Sequence, residues 1–500
     1  MSDTHHSQPD DDRSWLAFLN QFLGPQGAQE ALNAMRQAGI DPDAMGAAAG
    51  LPNDPSQLSA MIGQMQQMLS DAGDNPINTT LAREMARQVL AQNASGESVI
   101  VQSQHAQYTQ ALQVADLWLD TVTDFAPSSG TRSVASRHDW LEACSETLLW
   151  LAEPVAVHMV EAMVQTMSGQ LGAPGMPLEL AESPGAGQFA SSLLRPMAAA
   201  AFGAQLGHAI GTLACEVFGF CDIGIPLASH HRTGLVAANV EAFADDLEIP
   251  FEEVLQFLAL REAAAGRLYS AVPWLDSHVS AIIRTYAEGI TIDMEALTEA
   301  LRSVDPTNPD SIRAAMSGGL FQMAQSPEQQ AALARLETAL AVVEGWVDVV
   351  TEQASRAHLP NAHALAEMIR RRRATGGPAE HVFASLVGLE LRPARLRDAA
   401  RLFTLVQRER GIEGRDQLFS HPDLMPSSAD LDDPDSFLAM REAEADAEAD
   451  FDAGLQAILD GTLPFHDAAS AHDAETHEDP SIDGDERSKS DEDPDERRGS

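Results

Sequence analysis

Apolar residues recur at helical spacing along most of the chain, in long segments separated by Pro, Gly and Asp. NPINTTLAREMARQVLAQN and SQHAQYTQALQVADLWLDTVTDF show this spacing near residue 100, and NVEAFADDLEIPFEEVLQFLALREAAAGRLYSAV repeats it after residue 238. An apolar stripe repeating every three or four residues is typical of amphipathic helices. No segment shows a sustained alternation that indicates a strand with confidence. The pattern predicts an all-α or mainly α protein.

Changes in this pattern divide the chain into four regions. Residues 1–13 are polar and predicted to be disordered, and residues 14–125 form an N-terminal helical region. Residues 126–425 form a large multi-helix core, interrupted between Gly169 and Gly187 by a Pro- and Gly-rich stretch that is either a lid or disordered. Residues 426–500 form an acidic tail that is predicted to be mostly disordered, apart from one short helix in SFLAMREAEADAEADFDAGLQAILDG.

Two glutamates face the apolar sides of separate predicted helices. Glu262 has apolar residues at helical offsets on both sides, namely Leu255, Leu258, Ala265, Leu268 and Tyr269. Glu344 lies at the margin of a second apolar stripe, four residues after Leu340 and three before Val347. Because an unpaired buried charge is costly, each carboxylate needs a partner. One alternative is a metal site with Glu262 as base and Glu344 as ligand; the other is structural hydrogen bonding to Arg, Trp Nε1 or backbone N–H.

The residues around Glu262 favour the structural alternative. A catalytic zinc needs three protein ligands, commonly two histidines four residues apart on a helix with a glutamate after the first. The two histidine positions around Glu262 hold Arg261 and Ala265, and neither side chain can bind zinc. His278, sixteen residues after Glu262, is the candidate for a substitute ligand, although a lone helical histidine is more often a hydrogen-bond partner.

Several segments together resemble a known family, the actinobacterial zincin-like metallopeptidase type 2 proteins, many of which are named zinc-dependent metalloproteases. The segments are ADLWLDTVTDF, GAQLGHAIGTLACEVFG, LREAAAGRLYSAVPWLDSHV, EGWVDVV and RRRRATGGPAEHVFASLVGLELRPARLRDAARLF, and they span roughly residues 75 to 435. The resemblance implies a zincin-like helical core with Glu262 at the place of the general base and Glu344 at that of the third ligand. Members with a full motif have histidine at the places of Arg261 and Ala265, so the resemblance also implies a dismantled, degenerate zinc motif.

Charge and cysteine content restrict the partners and the compartment. The formal net charge is −44, and from Pro426 onward 24 acidic residues stand against five basic ones. Such a field repels nucleic acid and anionic lipid, so we expect no nucleic-acid partner and no membrane insertion. Three cysteines without paired spacing fit reduced thiols. The N-terminus lacks the basic start and apolar run of a signal peptide, so a cytoplasmic protein is expected.

Two further clusters contain residues that could bind nucleic acid or zinc. The run Arg370 to Arg373 is interpreted as a helix C-terminus that complements the helix dipole, or as a dock for the acidic tail, rather than as a nucleic-acid patch. Cys215, Cys221, His230 and His231 match no recognised zinc spacing and are interpreted as packing residues. The chain has no Gly-x-Ser-x-Gly elbow and no Walker loop, so serine hydrolase and nucleotidase functions are not supported.

Two functional hypotheses follow. The first is a catalytically silent family member, a pseudoenzyme that binds or scaffolds an unknown protein or peptide and needs no cofactor. The alternative is an active zinc-dependent metalloprotease or hydrolase that uses a nonstandard metal site built from Glu262, His278 and Glu344. Zinc is a cofactor only in the second case. Neither hypothesis fixes the oligomeric state.

Overall fold

The computed structural model of the chain describes residues 75–93, 97, 99–170, 186–290, 326–374 and 393–460, without the side chains of 162–194, 374, 444–445 and 447–448. Twelve α-helices lie in these ranges: α1 Thr79–Asn93, α2 Gln102–Leu119, α3 Arg137–Gln170, α4 Ala186–Ala214, α5 Ala237–Asp245, α6 Phe251–Ala271, α7 Trp274–Glu288, α8 Pro327–Ser355, α9 Ala362–Ala374, α10 Leu396–Asp416, α11 Ser428–Asp432 and α12 Phe437–Leu459. The mainly α prediction is therefore confirmed.

Two short strands accompany the helices, β1 Arg132–Ala135 and β2 Thr233–Val236. They pair in parallel, from Arg132 opposite Thr233 to Ala135 opposite Val236. A parallel pair needs a long crossover, which α3 and α4 provide. The strands were not predicted because four residues are too few for an alternating pattern to stand out. β2 is buried along its whole length, and Leu235 also bridges Gly219 on its other side.

The chain divides into two compact units, residues 1–437 and 438–500. In the second unit the structure describes the rest of α12, a helix that coincides with the one expected in the acidic tail and exposes Phe451, Leu455 and Leu459. The boundary at residues 125 and 126 stays a prediction. The expected N-terminal helices before residue 75, most of the Gly169 to Gly187 stretch, and the tail beyond residue 460 lie outside the described residues.

Helix α6 lies in the interior of the first unit, where it packs against α2, α8 and β2. From Val254 to Tyr269 all but one of its residues are buried. Its Arg267 side chain is fully buried and donates to Asp116 of α2, at 3.1 Å to the carboxylate and 2.6 Å to the carbonyl oxygen. A buried guanidinium is tolerated only with such partners. This contact fixes α6 beside α2.

Helix α8 is the second buried helix, and it positions Glu344. Ser326 caps its N-terminus by accepting a hydrogen bond from the Gln329 N–H, and Pro327 occupies the first turn, where its missing N–H costs nothing. Gly345 lets α10 approach closely, because a Cβ there would lie 2.6 Å from the Cβ of Ala399. Glu344 therefore lies on a helix that is enclosed by α6, α7 and α10.

Candidate functional site

Helices α6 and α8 enclose a small cavity that collects most of the residues singled out in the sequence. Arg261, Glu262 and Ala265 of α6 and Glu344 of α8 all line it, together with Arg373 of α9. Its volume is about 20 Å³, and a single water needs roughly 10–15 Å³. Arg261 and Ala265, where the family resemblance leads us to expect histidines, thus line the same cavity as Glu344.

Glu262 is held by backbone N–H groups. Its Oε1 accepts hydrogen bonds from the N–H of Phe220 at 3.1 Å and of Gly234 at 3.0 Å, and its Oε2 accepts from the N–H of Cys221 at 3.1 Å. Burial raises the pKa of Glu262 to about 7, although the three N–H donors oppose the rise by favouring the ionised form. Gly219 must lack a side chain, since a Cβ there would lie 2.4 Å from Oε2. The carboxylate therefore joins the loop before β2 to β2 itself.

Glu344 is held by two guanidinium groups. Nη2 of Arg261 donates to its Oε2 at 2.5 Å, and Nη2 of Arg373 donates to its Oε1 at 2.5 Å. All three residues are buried. Charge-assisted hydrogen bonds of this kind are short and strong, and they leave neither carboxylate oxygen without a cationic partner.

The charged network continues along α8. Arg370 of α9 donates to Asp348 at 2.8 Å and to Glu352 at 2.6 Å. Arg261 also approaches Asp348, with 3.8 Å between Nη1 and Oδ1, which is an ion pair without a hydrogen bond. Burial raises the pKa of Asp348 against the opposing attraction of Arg261 and Arg370. Three carboxylates of α8 and three arginines from two other helices thus neutralise one another.

The basic run Arg370 to Arg373 lies at the C-terminal end of α9 and contacts three parts of the chain. Arg370 and Arg373 reach α8, as described. Arg372 donates to the Glu216 carbonyl oxygen at 2.7 Å and lies 4.3 Å from the centre of the Phe218 ring. Arg371 remains at the surface and pairs with Glu367 of the same helix. The run therefore fastens α9 over the cavity and the loop beside it.

His278 lies apart from this arrangement. It belongs to α7, packs edge-on against the Trp274 ring with 5.7 Å between the ring centres, and does not line the cavity. Its pKa is lowered, mainly by burial and also by Arg335. Cys215 and Cys221 are thiols whose pKa values are raised by burial. In the part of the chain that is described, no three His, Cys, Asp or Glu residues are arranged to hold a metal ion.

The donor set around the cavity does not fit a zinc ion. Zinc prefers imidazole, thiolate and carboxylate ligands, and the lining contains no imidazole. The carboxylates of Asp222, Glu262 and Glu344 already accept hydrogen bonds, and burial raises the pKa of the Cys221 thiol, which opposes its conversion to a thiolate. The remaining lining side chains include the guanidiniums of Arg261 and Arg373 and the methyl group of Ala265. Two fixed positive charges also repel a divalent cation. The arrangement can hold a carboxylate in place, and within the described residues it presents no open coordination position.

Sequence reasoning missed four members of the network, Asp348 and Glu352 of α8 and Arg370 and Arg373 of α9. Asp348 follows Glu344 by four residues and so lies on the same helix face, and this spacing could have indicated it from the sequence. Arg373 was recognised only as part of a basic run, because its contact with Glu344 depends on the docking of α9 against α8.

Comparison with known proteins adds one structure and one family. A crystal structure from Chloroflexus aurantiacus, provisionally described as a hydrolase with a novel fold, matches at a TM-score of 0.50 and 18% identity, covering 73% of this chain and 99% of that one. At this identity the likeness concerns the fold alone. No curated protein matches significantly. Among the described helices, none is long and apolar enough to cross a membrane. The profile of the zincin-like metallopeptidases matches residues 77–438, and the chain belongs to that family.

Proposed function

We propose that this family member has lost its zinc centre and acts as a non-catalytic binding or scaffolding protein. The observation that carries the proposal is the pairing of Glu344 with Arg261 and Arg373, at 2.5 Å each. In a zinc site of the family type, the position of Arg261 would carry an imidazole and Glu344 would face the metal. Here guanidinium groups supply the positive charge that balances Glu344, so a metal ion would have to displace two buried ion pairs.

The environment of Glu262 supports the same proposal. A general base must accept a proton from a water molecule bound at the metal, within about 3 Å of the carboxylate. Both oxygens of Glu262 already accept backbone hydrogen bonds, which orient the carboxylate toward Phe220, Cys221 and Gly234. Its role in the proposal is structural, since it fixes the loop that borders the cavity.

The proposal has several finer parts that follow from the sequence. The zinc motif is degenerate at Arg261 and Ala265, the protein is actinobacterial and cytoplasmic, and its partner is a protein or peptide rather than nucleic acid or membrane. The old substrate cleft of the family would provide the surface for such a peptide. No cofactor is required for this role.

Metal analysis of the purified full-length chain tests the proposal. We expect substoichiometric zinc after equilibration with micromolar zinc and removal of excess metal, and no zinc-dependent cleavage of a mixed peptide library. The result that would overturn it is one zinc per chain that is lost in a folded Glu344→Ala variant, together with peptide hydrolysis that follows the zinc content. That outcome would establish the active metalloprotease alternative, with Glu262, His278 and Glu344 as its candidates.

A further inference from the structure

A surface groove on the other side of α8 is lined by several arginines, although the chain as a whole is acidic. The groove has a volume of about 320 Å³ and lies among α8, α9 and α10. Four arginines line it, Arg356, Arg370, Arg397 and Arg401, against one carboxylate, Glu352. In a chain with a net charge of −44, a groove with this lining is the reverse of what the overall composition would produce. A pocket of roughly 300 Å³ or more is large enough for a small ligand.

Regular helical faces build this groove. Helix α8 contributes positions 349, 352 and 353, its C-cap contributes 356, and α10 contributes 397, 400, 401 and 404. Each set follows the spacing of a single helix face. Because α8 and α10 pack directly on each other, their backbones fix the separation of the two rows. Gln353 and Thr404 add uncharged polar groups between the arginines.

The arginines differ in how firmly they are held. Arg370 lies deepest, with a side chain that is 16% exposed, and is fixed by Asp348 and Glu352. Arg356, Arg397 and Arg401 have side chains that are 74%, 64% and 61% exposed, and each pairs with a carboxylate through Nη2. Such exposed pairs contribute little to stability. A guanidinium has five N–H donors, so these three side chains can bind an anion beside or instead of their carboxylates.

We propose that this groove binds a compact phosphoryl anion, either inorganic diphosphate or the diphosphate group of a small molecule. The donors come from three helices and therefore surround the groove, as the peripheral oxygens of a phosphoryl group require. A planar carboxylate is saturated by one or two guanidinium forks, whereas a diphosphate presents enough oxygens for four. A ligand with several negative charges would replace the carboxylates that pair with Arg397 and Arg401, namely Glu367 and Asp435. This site is separate from the zincin cavity and does not depend on the function proposed for it.

Calorimetric titration of the full-length chain with inorganic pyrophosphate at low salt tests the site. We expect saturable binding that weakens at least about tenfold in Arg397→Ala/Arg401→Ala, because the variant loses two guanidinium groups that would donate charge-assisted hydrogen bonds to the anion. Arg397→Lys/Arg401→Lys keeps the positive charges and loses the two-pronged guanidinium hydrogen bonds. Its affinity for pyrophosphate should therefore lie between that of the unaltered chain and that of the double-alanine variant. Circular dichroism verifies that both variants fold.

A matched control lies on the same helix. Arg408→Ala/Arg410→Ala removes two exposed arginines of α10 that do not line the groove, and affinity should change less than about twofold. An equal loss of pyrophosphate affinity in this control would show that binding depends on the general electrostatic field of the surface arginines. That result would overturn the site. Absence of pyrophosphate binding to the unaltered chain would overturn it outright. Citrate binding more tightly than pyrophosphate would reject the phosphoryl class.

Discussion

Arg261 and Ala265 lie one helical turn apart on α6, and their side chains decide what the adjoining cavity can hold. Both line that cavity together with Glu344. The family resemblance leads us to expect histidines at these two positions, and neither side chain is an imidazole. Substituting histidine at these two residues changes the side chains alone, and so tests whether the backbone positions suit a zinc site.

Restoring the imidazoles should create a zinc site. We expect Arg261→His/Ala265→His to bind one zinc per chain, because two imidazoles four residues apart and Glu344 supply three ligands. Removing Glu344 in that background should weaken zinc binding at least about tenfold, the scale on which even outer-shell partners matter. Competition with a chromogenic chelator measures both affinities.

The matching control is Arg261→Ala, which frees Glu344 from one guanidinium without adding a ligand. This variant should stay metal-free. A double-histidine protein that is folded and gains no zinc affinity would show that the α6 and α8 positions are not arranged for a metal, contrary to the expectation.

Glu262 should make the stability of the protein depend on pH. Its pKa is raised from 4.5 to about 7 by burial, so the folded state holds a proton between these values that the unfolded state has released. The free energy of unfolding contributed by this group therefore falls as pH rises through that window, and the stabilisation present at low pH is lost above pH 7. The total effect is about 3 kcal/mol, at about 1.4 kcal/mol per pKa unit.

Urea unfolding between pH 5 and 8 measures this term by difference. Glu262→Gln removes the titration, so the stability of the unaltered chain relative to this variant should decline across the range. Glu409→Gln, which alters an exposed carboxylate on α10, is the control and should give a parallel profile. If the free energy of unfolding of Glu262→Gln also changes with pH in parallel with that of the unaltered chain, the prediction is contradicted.

At the scale of elements, α9 is held by its arginines as well as by the buried side chains of Leu365, Ala366 and Ile369. Arg373→Ala leaves Glu344 buried with one guanidinium in place of two, and breaking a buried pair in this way costs about 3–5 kcal/mol. Arg371→Ala removes the neighbouring arginine, whose partner Glu367 lies at the surface, and should cost under about 1 kcal/mol. Chemical denaturation compares the two. Similar costs for both variants would show that the contact with Glu344 contributes little.

Helical periodicity located α6 and α8 and placed Glu262 and Glu344 on their buried faces. It could not identify the partners of Glu262, because Phe220 and Gly234 meet its carboxylate only after the loop and β2 have folded against α6. The same limit applies to His278. Its position sixteen residues after Glu262 left a substitute ligand and a hydrogen-bond partner both open, because the sequence did not show that α6 ends before Val272 and that α7 places His278 beside Trp274.

At the scale of the whole molecule, the first compact unit and the family match end at nearly the same residue. The family profile ends at residue 438, and the first compact unit ends at Phe437. Leu431 and Phe437 are the last buried apolar residues of the described chain, each 1% exposed. Beyond them α12 exposes its apolar side chains, and the acidic excess of the sequence follows. The stability of the core should therefore depend on residues up to 437 and little on those after 460.

Two truncations test where the structural requirement ends. A chain that stops after Asp460 should melt within about 3 °C of the full-length protein, a shift that corresponds to about 1 kcal/mol. A chain that stops after Met425 loses Leu431 and Phe437, and burial of two such side chains is worth about 3–6 kcal/mol. Calorimetry of the three proteins at one salt concentration compares them. If the shorter chain melts like the longer one, Leu431 and Phe437 are dispensable to the core; if the longer one already melts far below the full-length protein, the acidic tail contributes to folding.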